Sequence, residues 1–172
     1  MFLKRFKEKS NQKFINKILN SRKSTVKEGL IESVGILVNF DEFNNYDELL
    51  GLFQSLGINQ NKIKIITFIA DEKLTLNSWD SSFYPKDIGW QGKIHGAELQ
   101  TFIDSEFDAL VSFYKKDNLN LNMITALSKA NFKIGISSVD KRLNDFIVDI
   151  ESNQLEVFKD ELSKYLKVLN KI

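Results

Sequence analysis

The chain has 172 residues, of which 42% are apolar and 27% charged, and it contains no cysteine. That length suits one domain with a core large enough to fold without staples, and the missing cysteine excludes a disulfide framework, a thiolate metal site and a cysteine nucleophile together. The net charge of +1 is unevenly spread: residues 1–30 hold nine basic side chains against Glu8 and Glu28, a balance of +7, which leaves −6 for residues 31–172.

Residues 2–20 read as an amphipathic helix. Phe2 and Phe6, Phe14 and Ile18, and Ile15 and Leu19 are each four apart, which places each pair on one helical face. The charged start MFLKRFKEKS is not followed by an apolar h-region, and no run approaches a membrane span. Neither a secretory signal nor an integral membrane segment is therefore expected, and the expected location is the cytoplasm. Residues 21–32 form a polar connector. SVGILVNF, residues 33–40, is an apolar run rich in β-branched residues and reads as a buried strand. A loop and a helix follow, with Leu49, Leu52, Phe53 and Leu56 at helical spacing and Gly57 placed to end the helix in a left-handed cap. IKIITFIA, residues 63–70, is a second strand, so strand, helix and strand form the βαβ unit of a parallel sheet.

Residues 71–104 carry the only proline, both tryptophans, the only histidine and three of the eight glycines. SSFYPKDIGWQGKIHG reads as an irregular aromatic loop with room for a short strand, before a short helix in ELQTFID. The alternation then resumes: a third strand at 108–114, a helix entered through Asp117 and Asn118, a fourth strand at 132–137 and a fifth at 145–150. The terminal helix has Leu155, Phe158, Leu162, Tyr165, Leu166 and Leu169 on its inward side. Strands four and five are too close for a helical crossover, which takes roughly a dozen residues. The fifth strand is thus either antiparallel or reached by a bare loop over the sheet's end.

No phosphate-binding glycine loop, dinucleotide fingerprint or nucleophile elbow is present. A single histidine, His95, forbids a paired-histidine metal site, and neither a metal nor a cofactor is expected. In open parallel sheets, ligands bind beyond the carboxyl ends of the strands. That rule nominates Asp41, Glu42 and Asn44 after the first strand, Asp71 and Glu72 after the second, Lys115, Lys116 and Asp117 after the third and Ser137, Ser138 and Asp140 after the fourth, with Asp41, Asn44, Lys115, Asp117, Ser137 and Ser138 as the candidate ligand-binding residues. Helix caps and solvated turns use the same residue types and are the plainer explanation. Two other features point to a partner. One is the basic first helix, with Lys4, Arg5, Lys9 and Lys13. The other is the aromatic loop, with Trp79, Tyr84 and Trp90.

The succession SVGILVNF, KIKIITFIADEK, IGWQGKI, FDALVSF, ITALSKANFKIGI and LNDFIVDI resembles a family of uncharacterised bacterial proteins of about this length, a domain of unknown function common in the Bacteroidota. The resemblance implies that the Gly89-Trp90 loop and the turn at Ser128, Lys129 and Ala130 belong to the family pattern, and it brings no catalytic residues. The stretch from FDALVSF to FKIGI is also similar to part of the N-terminal Rossmann-like domain of heptosyltransferase-type glycosyltransferases. That likeness supports the fold alone.

The expectation is a three-layer Rossmann-like α/β domain over residues 33–172. It has a mostly parallel five-stranded sheet with helices on both faces, preceded by a basic amphipathic helix and connector over 1–32. The expected function is non-enzymatic: binding of a protein or RNA partner through residues 1–30 and the 79–90 loop. A small-molecule site at the strand ends and a peripheral membrane role are the alternatives.

Overall fold

The computed structural model describes residues 1–24, 26–74 and 81–172. Strands β1 (Val34–Asn39), β2 (Ile63–Phe68), β3 (Ser82–Phe83), β4 (Ala109–Phe113), β5 (Phe132–Gly135) and β6 (Phe146–Ile147) form one sheet in the order β3-β2-β1-β4-β5-β6. Every pairing is parallel. This is the Rossmann order, with the chain direction across the sheet reversing between β1 and β4. Helices α1 (Phe2–Ser21), α2 (Tyr46–Ser55), α3 (Ala97–Asp104), α4 (Leu119–Leu127) and α5 (Leu155–Val168) cover the two faces.

Alternation along β1 divides the core. Val34, Ile36 and Val38 face α2 and α5, where Leu49, Phe53, Phe158 and Leu162 meet them. Leu37 faces the other side, with Phe102 and Ile103 of α3, Leu121 and Ile124 of α4, and Ile15 and Leu19 of α1. Both faces of the central strands are thus buried, and their sequences read as continuous apolar runs. Gly57 ends the turn after α2 with φ +91°, its N–H bonded to the Gln54 carbonyl at 2.9 Å. Tyr165 and Leu169, expected to face inward on α5, are more than 40% exposed, and the Tyr165 ring packs tilted against Phe146, their centroids 5.1 Å apart.

One detail goes beyond the five-stranded expectation, and another settles the direction that it left open for the last strand. A sixth strand exists, because Ser82 and Phe83 pair with Thr67 and Phe68. Two residues are too short to show an alternating pattern. The last strand is also parallel, with Ile134 opposite Phe146 and Gly135 opposite Ile147. Its strands are shorter than their apolar runs, so residues 136–145 are left to cross the sheet's end as a loop.

Helix α1 is held to the rest of the molecule along one side. Asn11 is buried; its side-chain amide donates to the Gly89 carbonyl at 3.0 Å and its oxygen accepts the Gly92 N–H at 3.2 Å. Gly92 has φ +69°, and a Cβ there would stand 2.6 Å from the Phe14 ring, so only glycine lets α1 approach this turn. Further along, Arg142 donates to Asn16 at 3.0 Å and Asn20 at 2.7 Å, and Arg22 pairs with Asp145 at 2.6 Å. The apolar pairs of the helix consequently separate. Phe14 and Ile18 pack against the second core, whereas Phe2 and Phe6 are 80% and 56% exposed.

Replacing Asn11 by alanine would leave a buried carbonyl and a buried N–H without partners. We expect Asn11→Ala to lower stability by about 2 kcal/mol in equilibrium urea unfolding. An unchanged midpoint would show that α1 is not anchored through this residue.

Candidate functional site

The reversal of strand order puts the carboxyl ends of β1 and β4 side by side, where this topology usually admits a ligand. Here the chain's own carboxylate bridges them. Glu42 accepts the Lys115 N–H at 2.7 Å and the Lys116 N–H at 3.2 Å, and the buried Asn39 amide donates to it at 2.9 Å. Donors that would suit an anionic ligand are thereby engaged in charge-assisted bonds within the protein. Asp47 and Glu48 occupy the first turn of α2, where a phosphate would meet the helix dipole in this topology.

The nominated strand-end residues divide. Lys115 pairs with Asp149 after β6, and Ser138 donates to the same carboxylate at 2.7 Å. These bonds, first from Lys115 and then from Ser138, hold the Asp149 carboxyl below its ordinary range. Asp117 accepts from the Asn122 amide at 2.7 Å, and Ser137 accepts the Val139 N–H at 3.4 Å. Asp41 is exposed, its N–H directed to Asn39. Asn44 lines a separate groove of about 780 Å³ along β2, bordered by Asp47, Lys64 and Glu98. The structure thus brings Lys115 and Ser138 together but does not gather all six. Asp149 was missed because its strand had no assigned direction.

Two buried polar groups have structural duties. The Tyr114 hydroxyl bonds to Asn122 and Thr125, each at 3.0 Å, and burial pushes its phenol above the ordinary range. Lys133, 5% exposed in β5, donates to the Thr125 carbonyl at 2.6 Å. Its ammonium caps the last turn of α4, a favourable place for a cation. Burial, and secondarily the charge of Arg22, lowers its pKa to about 8 against the opposing influence of Asp145.

The most open arrangement is the outer face of α1. With Asn11, Ile15 and Leu19 turned inward, Arg5, Lys9, Lys13 and Lys17 stand four residues apart on the exposed side. Among the described residues no ion pair reaches any of them. Phe2 and Phe6 lie on this side too, their rings stacked 6.4 Å apart, whereas Lys4 is exposed on the opposite side, in line with Asn11 and Ile15. Of the aromatic loop, Trp90 is 49% exposed in the turn that carries α1. Tyr84 is half-buried, with its hydroxyl on the Leu74 carbonyl at 3.0 Å. Trp79 lies outside the described residues. No described helix is long and apolar enough to cross a membrane.

The profile of DUF6913, a family of unknown function, matches residues 7–169. The chain belongs to that family. A search of curated proteins found no match. The match takes in most of α1 and starts at Lys7, whose ammonium reaches the Pro85 carbonyl at 3.4 Å.

The Lys133 arrangement has a signed consequence. Between pH about 8 and 10.5 the unfolded chain keeps a proton on this lysine that the folded protein has released, so stability rises with pH across that window. The stability of the wild type relative to Lys133→Met should rise there by up to about 3 kcal/mol, read from urea unfolding at several pH values. A difference independent of pH would contradict the assignment.

Proposed function

We propose that this protein is a non-enzymatic docking module whose binding surface is the outer face of α1, and that its partner is polyanionic. The observation that carries the proposal is the exposed column Arg5, Lys9, Lys13 and Lys17 without a paired carboxylate among the described residues. Like charges four apart on a helix destabilise it by roughly 0.2–0.5 kcal/mol per pair, a cost offset when an anionic surface lies along the column. Residues 31–172, by contrast, carry a balance of −6.

The strand-end crevice supports the same reading from the other direction, since Glu42 bridges the place a ligand would take. A small-molecule role would fall to the groove along β2. Asp47 and Glu98 border that groove and disfavour nucleotides and sugar phosphates there. The likeness to heptosyltransferase-type domains, carried by β4, α4 and β5, bears on fold and supplies no activity. We place the docking in the bacterial cytoplasm, where acidic protein, RNA and membrane surfaces are all within reach.

On a heparin column, whose sulfates stand in for the partner's anions, the full chain should be retained at low salt and released as salt rises. Lys9→Glu/Lys13→Glu should elute at clearly lower salt. Co-elution of variant and wild type would refute the assignment of this face.

A further inference from the structure

Resting on that docking reading, we infer that the polyanionic partner of α1 is an anionic lipid bilayer, on which the helix lies with Phe2 and Phe6 inserted and its cation column among the headgroups. The first turns of the helix expose Met1, Phe2, Leu3 and Phe6 at 103%, 80%, 75% and 56%, and of these Phe2 and Phe6 stack on the side of the cation column. Helical spacing sets Phe2 beside Arg5 and Phe6 beside Lys9, so aromatic and cationic side chains share one face. A phosphate backbone or an acidic protein patch answers the cations but gives no depth to the two stacked phenyl rings beside them. A bilayer interface answers both: acyl boundary for the phenyl rings, headgroup phosphates for the ammonium and guanidinium groups.

The anchoring of α1 limits how it can lie. Its inner side is joined to the domain at Asn11, Ile15 and Leu19, so only the outer side is available, and the helix axis must run along the membrane plane. The 20 residues of α1 give a footprint about 30 Å long. The acidic remainder of the chain then rides on the solvent side, where its charge is not forced against the lipid. One short amphipathic face is a weak, reversible anchor, so binding depends on lipid charge and ionic strength.

The test is co-flotation of the full chain with vesicles of phosphatidylcholine alone or with phosphatidylserine, alongside binding to a labelled single-stranded RNA. The inference expects flotation only with phosphatidylserine present and at low salt. Phe2→Ser/Phe6→Ser should reduce partitioning more than tenfold while leaving elution from heparin and the melting temperature unchanged, because both rings are exposed. Lys9→Gln/Lys13→Gln should reduce partitioning about 30-fold. Vesicle binding indifferent to the two phenylalanines would overturn the bilayer assignment. So would RNA binding without flotation, although the docking reading would survive that result. Loss of both, together with no retention on heparin, would overturn the docking reading itself.

Discussion

The carboxamide of Asn11 and the turn from Gly89 to Gly92 set the orientation of everything that the first helix displays. One polar side chain satisfies a buried carbonyl and a buried N–H at once, and such groups are costly to leave unpaired. Gly92 has no side chain to keep Phe14 and Met123 apart from its backbone. Because a helix turns 100° per residue, fixing Asn11, Ile15 and Leu19 inward leaves Arg5, Lys9, Lys13 and Lys17 no direction but outward. The cationic column follows from the packing of the opposite side.

A second constraint governs the place where this topology ordinarily works. The β1 and β4 ends carry backbone donors that suit an anion, and Glu42 holds those of Lys115 and Lys116. Asn39, buried at the end of β1, orients that carboxylate. Lys115, turned the other way, ties β4 to Asp149 beyond β6. Ionic and polar bonds thus knit the strand ends together, and the fold's usual crevice becomes part of its framework. The exposed cationic column lies on the helix added in front of the first strand.

Much of the architecture was legible because burial on both faces writes a strand as an unbroken apolar run. SVGILVNF and IKIITFIA identified β1 and β2, and Leu49, Leu52 and Phe53 identified α2 by their spacing. β3 was legible only as room for a short strand within the aromatic loop, since two residues hold no period. The direction of β6 was hidden for a related reason: apolar residues Ile136 and Val148 continue past the paired residues, so the strands looked longer and the connection shorter than they are. The site was harder still. Asn11 lies in a polar stretch of α1 and looks like a solvated residue, and Lys133 looks like the exposed position of an alternating strand. Asn11 donates to a carbonyl 78 residues away and Lys133 to one in the helix before its strand, and a residue-by-residue pattern registers neither partner. The basic character of α1 was visible from composition, whereas its division into a packed part and a projecting part required knowledge of which face Asn11 occupies.

Residue-resolved hydrogen exchange of α1 in the free protein is the most direct test of that division. Amides from Asn11 to Leu19 should exchange as slowly as those of the core strands, and amides from Leu3 to Lys7 should exchange orders of magnitude faster. Uniformly fast exchange throughout the helix would show that Asn11 does not fasten it to the domain. Uniformly slow exchange from Leu3 onward would show that the projecting phenylalanines are already covered.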